Sequence, residues 1–285
     1  EQRRGTAPGL VCPVGDKVIY AVPGVPYELY EMFERGILPD LLKRSGSASV
    51  IASRTLRTWG ESESGLNERL FDVIDELEKV GNPTLAFLAS GWEGIKVRLT
   101  AKAITTAEVS ALLDEWDAKV RHAVGDIVFG TDTDTMESVV LNMMRERGLT
   151  LGLAESVTGG LVSGRLTNIA GSSDVLRGCV VSYASEVKFD VLGVTNGPVV
   201  SEEAAIEMAK GAQRVLGASV GLALTGVAGP ADQEGMKPGT LCVGLALPDG
   251  TTQSAMLQLP GNRDTMRQLS VISALDLLRR ALRAI

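Results

Sequence analysis

Histidine and cysteine are both scarce in this chain of 285 residues. His122 is its one histidine, so a site with several histidine ligands is excluded and a Ser-His-Asp triad would have to use this residue. It lies near the end of an amphipathic helical pattern that begins at Thr106, where a histidine interacts favourably with the helix dipole. Cys12, Cys179 and Cys242 are far apart and odd in number, which fits neither a disulfide framework nor a C-x-x-C zinc motif. We therefore expect a reducing compartment, the cytoplasm, and no metal site.

Long apolar runs and clustered basic residues are also missing. No stretch reaches the ~18–20 apolar residues that span a bilayer, and the first residues lack the apolar core of a signal peptide. The net charge of −7 is spread evenly, with 15 basic and 19 acidic residues in 1–130 and 13 basic and 16 acidic residues in 131–285. Because phosphate neutralisation needs clustered Lys and Arg, neither a membrane nor a nucleic acid is an expected partner.

The length and a hydrophobic fraction of 45% suit about two folded domains and part of a third. The pattern of residues 1–45 predicts one strand, Lys17–Val22, and one helical stretch, Tyr27–Leu42. Two elements are too few to bury a hydrophobic core of their own. We expect them to pack on another domain or on sequence outside this chain. Glu1 is not an initiating residue, so we expect the chain to be cut from a longer protein.

Residues 46–130 and 131–285 predict two further domains. After a Ser/Gly-rich linker at 45–49, the first shows the order β-α-β-β-α-β of a small α+β sandwich, including a helix at Ser62–Val80. In the second, helices such as Thr158–Ile169 alternate with apolar strands, and a long helix starts near Asp264. This alternation predicts an α/β fold, with a layered α/β/α domain built on a mixed sheet.

One loop of this last domain, AESVTGG at 154–160, joins a predicted strand to a predicted helix. Ligands of open α/β sheets collect at the carboxyl ends of strands, and the first turn of a helix offers unpaired N–H groups to an oxyanion or a phosphate. Ser156 emerges at this edge, and Gly159 and Gly160 let the backbone approach a ligand. The alternative is that Ser156 or Thr158 simply caps the helix.

A second loop places an amine and a phenol near the same edge. Tyr183 closes a strand, and Lys188 sits about one turn into the next helix. A lysine serves as a general base where burial or nearby positive charge lowers its pKa. The alternative is a solvated helix lysine.

Small residues follow another apolar strand, and an arginine opens the last helix. Thr225, Gly226, Ala228 and Gly229 permit close approach of the backbone to a nucleotide. Arg263 is suited to clamp a phosphate with two hydrogen bonds, or it is an ordinary surface charge.

Six ordered motifs between residues 154 and 264 resemble the competence- and damage-inducible CinA family. They are AESVTGG at 154–160, LTNIAGSS at 166–173, SYASEVK at 182–188, VSEEAAIEMAKG at 200–211, LTGVAGP at 224–230 and GNRD at 261–264. GTAPG at 5–9 and VPGVPYELYEM at 22–32 resemble the end of that family's molybdopterin-binding-like domain, and GESESGLNERL at 60–70 resembles its KH-like domain. The resemblance implies a remnant of the first domain at 1–45, a KH-like α+β domain at 46–130 and a CinA C-terminal amidohydrolase domain at 131–285.

The C-terminal domain of this family is similar to nicotinamide mononucleotide deamidase, which hydrolyses the carboxamide to a carboxylate and releases ammonia without a metal. Carried over by position, Ser156 is the nucleophile, Lys188 is its base and Tyr183 assists. The resemblance implies a pyridine mononucleotide as ligand and no cofactor. The fragmentary first domain suggests a partner surface or a cleaved parent protein, and we expect a homo-oligomer. The substrate contacts that it implies are an oxyanion site at Thr158, Gly159 and Gly160, and phosphate and ribose contacts at Arg263, Thr225, Gly226, Ala228 and Gly229.

Two other functions compete with this one. The family's N-terminal domain is linked to metal-dependent hydrolysis of ADP-ribose, but most of that site would lie outside this chain, so we do not expect the activity here. A non-catalytic nucleotide-binding scaffold is the other alternative, against which the intact Ser156, Tyr183 and Lys188 argue. RNA binding by the KH-like domain is disfavoured, because the domain is acidic and shows no clear G-x-x-G loop between its helices.

Overall fold

The computed structural model describes residues 7–46, 49–89 and 91–284. The chain divides into two compact units, of which the first is Glu1–Ile51 with Lys102–Val109 and the second is Ala52–Ala101 with Ser110–Ile285. Part of the predicted linker at 45–49 lies outside the described residues. No described helix has both the length and the apolar character that crossing a bilayer requires.

The N-terminal segment forms a hairpin and a helical run. Its elements are β1 (Leu10–Val14), β2 (Lys17–Ala21), α1 (Pro26–Met32), a π-helical stretch (Phe33–Ile37) and α2 (Leu38–Ser45). The sequence predicted β2 and the helical run but missed β1, in which Cys12 and Pro13 interrupt the apolar pattern. Leu10 and Ile19 are more than half exposed, as expected of a segment too short to bury a core.

The middle of the chain is a sheet with three helices. Its strands are β3 (Val50–Thr58), β4 (Thr84–Ala89), β5 (Ile95–Ala103) and β6 (Val128–Thr131), in the spatial order β4-β5-β3-β6, and its helices are α3 (Glu63–Arg69), α4 (Phe71–Val80) and α5 (Thr106–Val124). The predicted order of elements is confirmed. The single helix predicted at Ser62–Val80 is wrong, because the chain bends at Leu70 and so buries both Leu66 and Leu70 completely.

The C-terminal part is the predicted layered domain with a mixed sheet. Its strands are β7 (Leu151–Glu155), β8 (Leu176–Val181), β9 (Val220–Gly226), β10 (Thr240–Ala246) and β11 (Thr252–Gln258), and its helices are α6 (Met136–Glu146), α7 (Leu161–Thr167), α8 (Ser185–Asp190), α9 (Glu202–Leu216) and α10 (Arg263–Arg283). The spatial order is β11-β10-β9-β7-β8. The interior strand β7 runs parallel to its neighbours β8 and β9, whereas β10 is antiparallel to both of its neighbours. The carboxyl ends of β7, β8 and β9 therefore meet at one edge.

The two faces of this sheet carry side chains of different size. Leu222 and Leu224 of β9 join the larger core, which includes residues of β7, β10, α6, α7 and α10, whereas Ala223 between them packs under α9. The alternation of large and small residues explains why one face accepts several helices and the other a single closely packed one.

Glycines let α9 approach the sheet at backbone distance. A Cβ at Gly221 would overlap the backbone of Ala209, and a Cβ at Gly244 would overlap the backbone of Ala205. The start of α9, which Ser201 caps by accepting a hydrogen bond from the Ala204 amide at 3.1 Å, is thereby fixed against the sheet.

The last helix links the edge of the C-terminal sheet to the middle domain. Asn262 caps its start by accepting from the Thr265 amide at 3.0 Å. Near its end, the fully buried Arg279 donates to the backbone oxygen of Asp126 at 2.9 Å, and Arg283 pairs with the Asp126 carboxylate at 2.7 Å. Asp126 lies in the turn between α5 and β6.

Candidate active site

Three neighbouring strands end side by side, and the residue after each one continues the sheet's hydrogen bonding. The Ser156 amide donates to the backbone oxygen of Leu224 at 2.9 Å, and the Ser182 amide donates to that of Glu155 at 2.8 Å. Ser156 therefore follows an interior strand, at a point where hydrogen bonds from both neighbouring strands hold the backbone.

A cavity of about 360 Å³ opens at this edge. Eight of the residues singled out in the sequence line it, namely Ser156, Tyr183, Lys188, Thr225, Gly226, Ala228, Gly229 and Arg263. The predicted substrate contacts Thr158, Gly159 and Gly160 are not among its lining residues. The structure thus brings the predicted hydroxyl and amine to the wall of one cavity.

The helix after Ser156 begins later than predicted and is capped by a different residue. Helix α7 starts at Leu161, because Gly159 and Gly160 both adopt positive φ, 61° and 93°, and form a turn first. The carboxylate of Glu155, which is fully buried, accepts from the amides of Gly160 (3.0 Å), Val162 (3.0 Å) and Ser163 (2.8 Å). The alternative that Ser156 or Thr158 caps this helix is therefore wrong.

The same contacts correct the predicted oxyanion site. The Gly160 amide is committed to Glu155, and the Gly159 amide donates to the backbone oxygen of Ser156 at 3.0 Å. Within the described chain, the amides next to Ser156 that carry no backbone hydrogen bond are those of Val157 and Thr158. Thr158 is held in place from the other side, because Arg267 donates to its backbone oxygen at 2.6 Å.

Lys188 is buried rather than solvated, so the alternative of a surface lysine is wrong. Its side chain is 1% exposed, and its Nζ donates to the backbone oxygen of Ser182 at 2.8 Å. Burial lowers the pKa of the Lys188 ammonium, while the carboxylates of Glu234 and Glu186 act in the opposite direction. A lysine amine that loses its proton more readily than usual is suited to act as a base.

Cysteine is poorly suited to act as a nucleophile in this domain. Cys179 on β8 donates to the Glu155 carboxylate at 3.4 Å, and burial raises the pKa of its thiol to about 12. Burial also raises the pKa of Cys242 to about 11. Because the thiolate is the reactive form, both thiols are inert near neutral pH.

Tyr183 and Arg263 meet at the mouth of the cavity. Arg263 donates to the Tyr183 hydroxyl at 2.8 Å and to the backbone oxygen of Gly229 at 3.2 Å. Tyr183 is 62% exposed, so its ring stands at the entrance rather than beside the buried amine. A ligand that enters the cavity would therefore meet a guanidinium group and a phenol at its mouth.

The loop between β9 and β10 forms the facing wall. The Thr225 hydroxyl donates to the backbone oxygen of Val199 at 2.8 Å, and Gly226 leaves room for the backbone of Thr240, which a Cβ would overlap. Glu234, farther along this loop, accepts from the amides of Val199 (2.8 Å) and Val200 (2.9 Å). Sequence reasoning missed Glu155 and Glu234, since each binds backbone amides rather than forming a recognisable motif.

The described residues contain no group of three or more His, Cys, Asp and Glu side chains placed to hold a metal ion. The cavity's donors and acceptors are instead a hydroxyl, an amine, a phenol, a guanidinium and backbone groups.

Two family models match the chain. The model described as "CinA C-terminal domain" matches residues 133–282, and the model described as "Damage-inducible protein CinA KH domain" matches residues 53–130. These matches confirm the family resemblance and the order of the two domains. The predicted boundaries at 45/46 and 130/131 stay predictions.

Curated relatives and solved structures carry CinA or competence-damage names. A CinA-like protein of Frankia casuarinae is 48% identical over 98% of this chain and 65% of its own length, and a putative competence-damage inducible protein of Halothermothrix orenii is 38% identical over 98% and 67%. The chain thus spans about two thirds of the length of these relatives. The crystal structure of a CinA superfamily protein from Klebsiella pneumoniae, 27% identical, covers 53% of this chain and 97% of that one with a TM-score of 0.51. The protein described here belongs to the CinA family.

Proposed function

We propose that the C-terminal domain hydrolyses the carboxamide of nicotinamide mononucleotide to give nicotinate mononucleotide and ammonia. One observation carries the proposal, namely that Ser156 and the buried Lys188 line the same cavity at the carboxyl ends of parallel strands. A hydroxyl needs an adjacent base to become a nucleophile, and a lysine with a lowered pKa supplies one where histidine is absent. The family resemblance supplies the substrate class.

In this mechanism Lys188 acts first as a base and then as an acid. Its neutral amine donates one N–H to the Ser182 backbone oxygen and keeps its lone pair for the Ser156 proton. The Ser156 oxygen bonds to the amide carbon, and the amides of Val157 and Thr158 are the available donors to the oxyanion. The lysine ammonium returns the proton to the departing nitrogen as the C–N bond breaks. Water then attacks the acyl carbon while Lys188 takes its proton, and the ammonium returns that proton to the Ser156 oxygen as the bond between this oxygen and the acyl carbon breaks.

The mouth of the cavity suits a phosphorylated ligand. Arg263 presents its guanidinium there, and guanidinium groups bind phosphate through charge-assisted hydrogen bonds. Tyr183, which accepts a hydrogen bond from Arg263, then assists by orienting that group as well as the incoming ligand. The Thr225–Gly229 segment is left to contact the ribose. The cytoplasm and a homo-oligomeric state stay predictions.

The deciding experiment measures ammonia release from nicotinamide mononucleotide by wild type and three variants. Ser156→Ala and Lys188→Ala are each expected to lose at least ~10²-fold in kcat, the usual scale for removing a nucleophile or a general base. Ser185→Ala is the matched control, because Ser185 lines the same cavity at the start of α8 and has no assigned role. A chelator is expected to leave the rate unchanged.

Three outcomes would count against this function. Turnover that survives in Ser156→Ala or Lys188→Ala would remove the mechanism, provided that circular dichroism shows both variants folded. If turnover were lost in Ser185→Ala but not in Ser156→Ala, the nucleophile would be Ser185 and not Ser156. Calorimetric binding of the mononucleotide by wild type without ammonia release would favour the non-catalytic nucleotide-binding scaffold.

A further inference from the structure

Glu234 lies at the tip of a tight turn within the β9–β10 loop. Gln233 and Met236 form an isolated antiparallel bridge, with backbone hydrogen bonds of 3.0 and 2.8 Å between them. The two residues that they enclose, Glu234 and Gly235, both have positive φ, 53° and 77°. A two-residue turn of this kind requires such angles, which a glutamate adopts with strain.

The strained turn directs one carboxylate oxygen at two backbone amides. A single oxygen of Glu234 accepts from both Val199 and Val200, although these residues lie 35 and 34 positions away in sequence. Val199 is buried and lines the cavity, and its backbone oxygen is held in turn by the Thr225 hydroxyl. The Glu234 carboxylate thus connects the outer wall of the cavity to the segment that leads into α9.

We propose that Glu234 is a positioning residue that latches the β9–β10 loop onto the Val199–Val200 segment and so sets the shape of the substrate cavity. This inference rests on the proposed function for its substrate but not for its structural part. The Val199–Val200 segment leads into α9, and α9 is packed against the sheet at backbone distance through Gly221 and Gly244. Holding the loop to α9 therefore fixes the wall relative to Ser156.

The negative charge of the Glu234 carboxylate also affects the pKa of Lys188. Ionisable groups on the surrounding elements include Glu186 and Asp190 on α8 itself, Asp232, Glu234 and Lys237 on the loop, and Tyr183 and Arg263 at the cavity mouth. The Glu234 and Glu186 carboxylates favour the ammonium form of Lys188. Removing either charge is therefore expected to move the acid limb of the pH–rate profile to lower pH.

Three variants of the full chain separate the latch from the charge. Glu234→Ala removes both. Glu234→Gln removes the charge but keeps an amide oxygen able to accept from both backbone amides, as the single carboxylate oxygen does. Glu186→Gln removes a comparable charge from a residue outside the cavity lining.

We expect Glu234→Ala to speed hydrogen exchange at the amides of Val199 and Val200 and to raise KM for nicotinamide mononucleotide about tenfold, the scale of losing hydrogen bonds to a charged group. Glu234→Gln and Glu186→Gln are expected to keep wild-type exchange and KM while shifting the pH–rate profile. Unchanged exchange and KM in Glu234→Ala would overturn the latch. An equal rise in KM for Glu234→Gln would also overturn it, because the effect would then follow the charge.

Failure of the latch is distinguishable from failure of the proposed function. Amide exchange needs no turnover, and binding of nicotinate mononucleotide can be followed by calorimetry in wild type and Glu234→Ala. If wild type released no ammonia, faster exchange with weaker binding in Glu234→Ala would still support the latch. Wild-type ammonia release with an unaffected Glu234→Ala would leave the proposed function standing and remove the latch.

Discussion

The amine of Lys188 donates a hydrogen bond to the backbone oxygen of Ser182 at 2.8 Å, and this contact ties the proposed base to the sheet that carries the proposed nucleophile. The Ser182 amide donates in turn to the backbone of Glu155, the residue before Ser156. Two residues, Ser182 and Glu155, therefore link the proposed base to the proposed nucleophile, although 32 positions separate the two in sequence. The sheet, rather than a flexible side chain, holds the pair together.

The pH–rate profile is expected to rise with pH along a limb that belongs to Lys188. Burial lowers the pKa of this ammonium below its ordinary value of 10.5, and the neutral amine is the form that accepts the Ser156 proton. Activity should therefore reach half its maximum below pH 10.5. Measuring kcat/KM for ammonia release across neutral and alkaline pH checks this. A rising limb at 10.5 or above would contradict the role given to burial.

The stability of the protein is expected to depend on pH through the same group. Between the lowered pKa of folded Lys188 and the ordinary value of 10.5, the folded chain has released a proton that the unfolded chain still binds. The free energy of unfolding contributed by this residue therefore rises with pH across that window. Urea titrations of wild type and Lys188→Met should show their difference moving in favour of wild type from neutral pH to 10.5. A difference that does not change with pH would contradict the prediction.

Removing the Glu155 carboxylate is expected to destabilise the domain. Glu155→Ala leaves three amides at the start of α7 without their acceptor, which costs roughly 3 kcal/mol or more of unfolding free energy. Glu155→Gln should cost less, because its amide oxygen can replace the oxygen that accepts from Gly160 and Val162, and only the Ser163 amide and the weakly bound Cys179 thiol lose their acceptor. Urea denaturation measures both variants. Equal losses in the two would show that the charge, and not the number of acceptors, matters.

Arg263 is expected to recognise the phosphate rather than the ring. Arg263→Ala should raise KM for nicotinamide mononucleotide by roughly 10- to 100-fold, the scale of a charge-assisted hydrogen bond. The nucleoside that lacks the phosphate serves as the matched ligand, and its kcat/KM should hardly change. If kcat/KM fell equally for the nucleotide and the nucleoside, Arg263 would instead act by holding Tyr183 or Gly229 in position.

The close packing of α9 predicts a contrast between two glycines. Gly244→Ala places a methyl group into the backbone of Ala205 and is expected to destabilise by about 1–3 kcal/mol. Gly164→Ala lies on an exposed turn of α7 with nothing within 4 Å of the new methyl, and should stabilise by about 0.5–1 kcal/mol. Thermal denaturation compares the two. A neutral Gly244→Ala would mean that α9 can move away from the sheet.

Periodic patterns in the sequence predicted most helices and strands, and local exceptions account for the errors. The helical pattern of residues 62–80 does not reveal the break at Leu70, where the chain bends and both Leu66 and Leu70 are fully buried. The late start of α7 follows from two glycines in left-handed conformation. In the candidate site, the strand-end residues were predictable because parallel strands end at one edge. The roles of Glu155 and Glu234 could not be predicted, because the sequence alone does not show which backbone amides their carboxylates bind.

Helix α10 contacts the cavity entrance at one end and the middle domain at the other. Its 21 residues make a rod of about 30 Å. At one end Arg263 donates hydrogen bonds to Tyr183 and Gly229. At the other end Arg279 and Arg283 donate hydrogen bonds to Asp126. Because one helix carries both sets of contacts, a substitution that shifts the helix at Asp126 is expected to change the position of Arg263 at the cavity entrance as well.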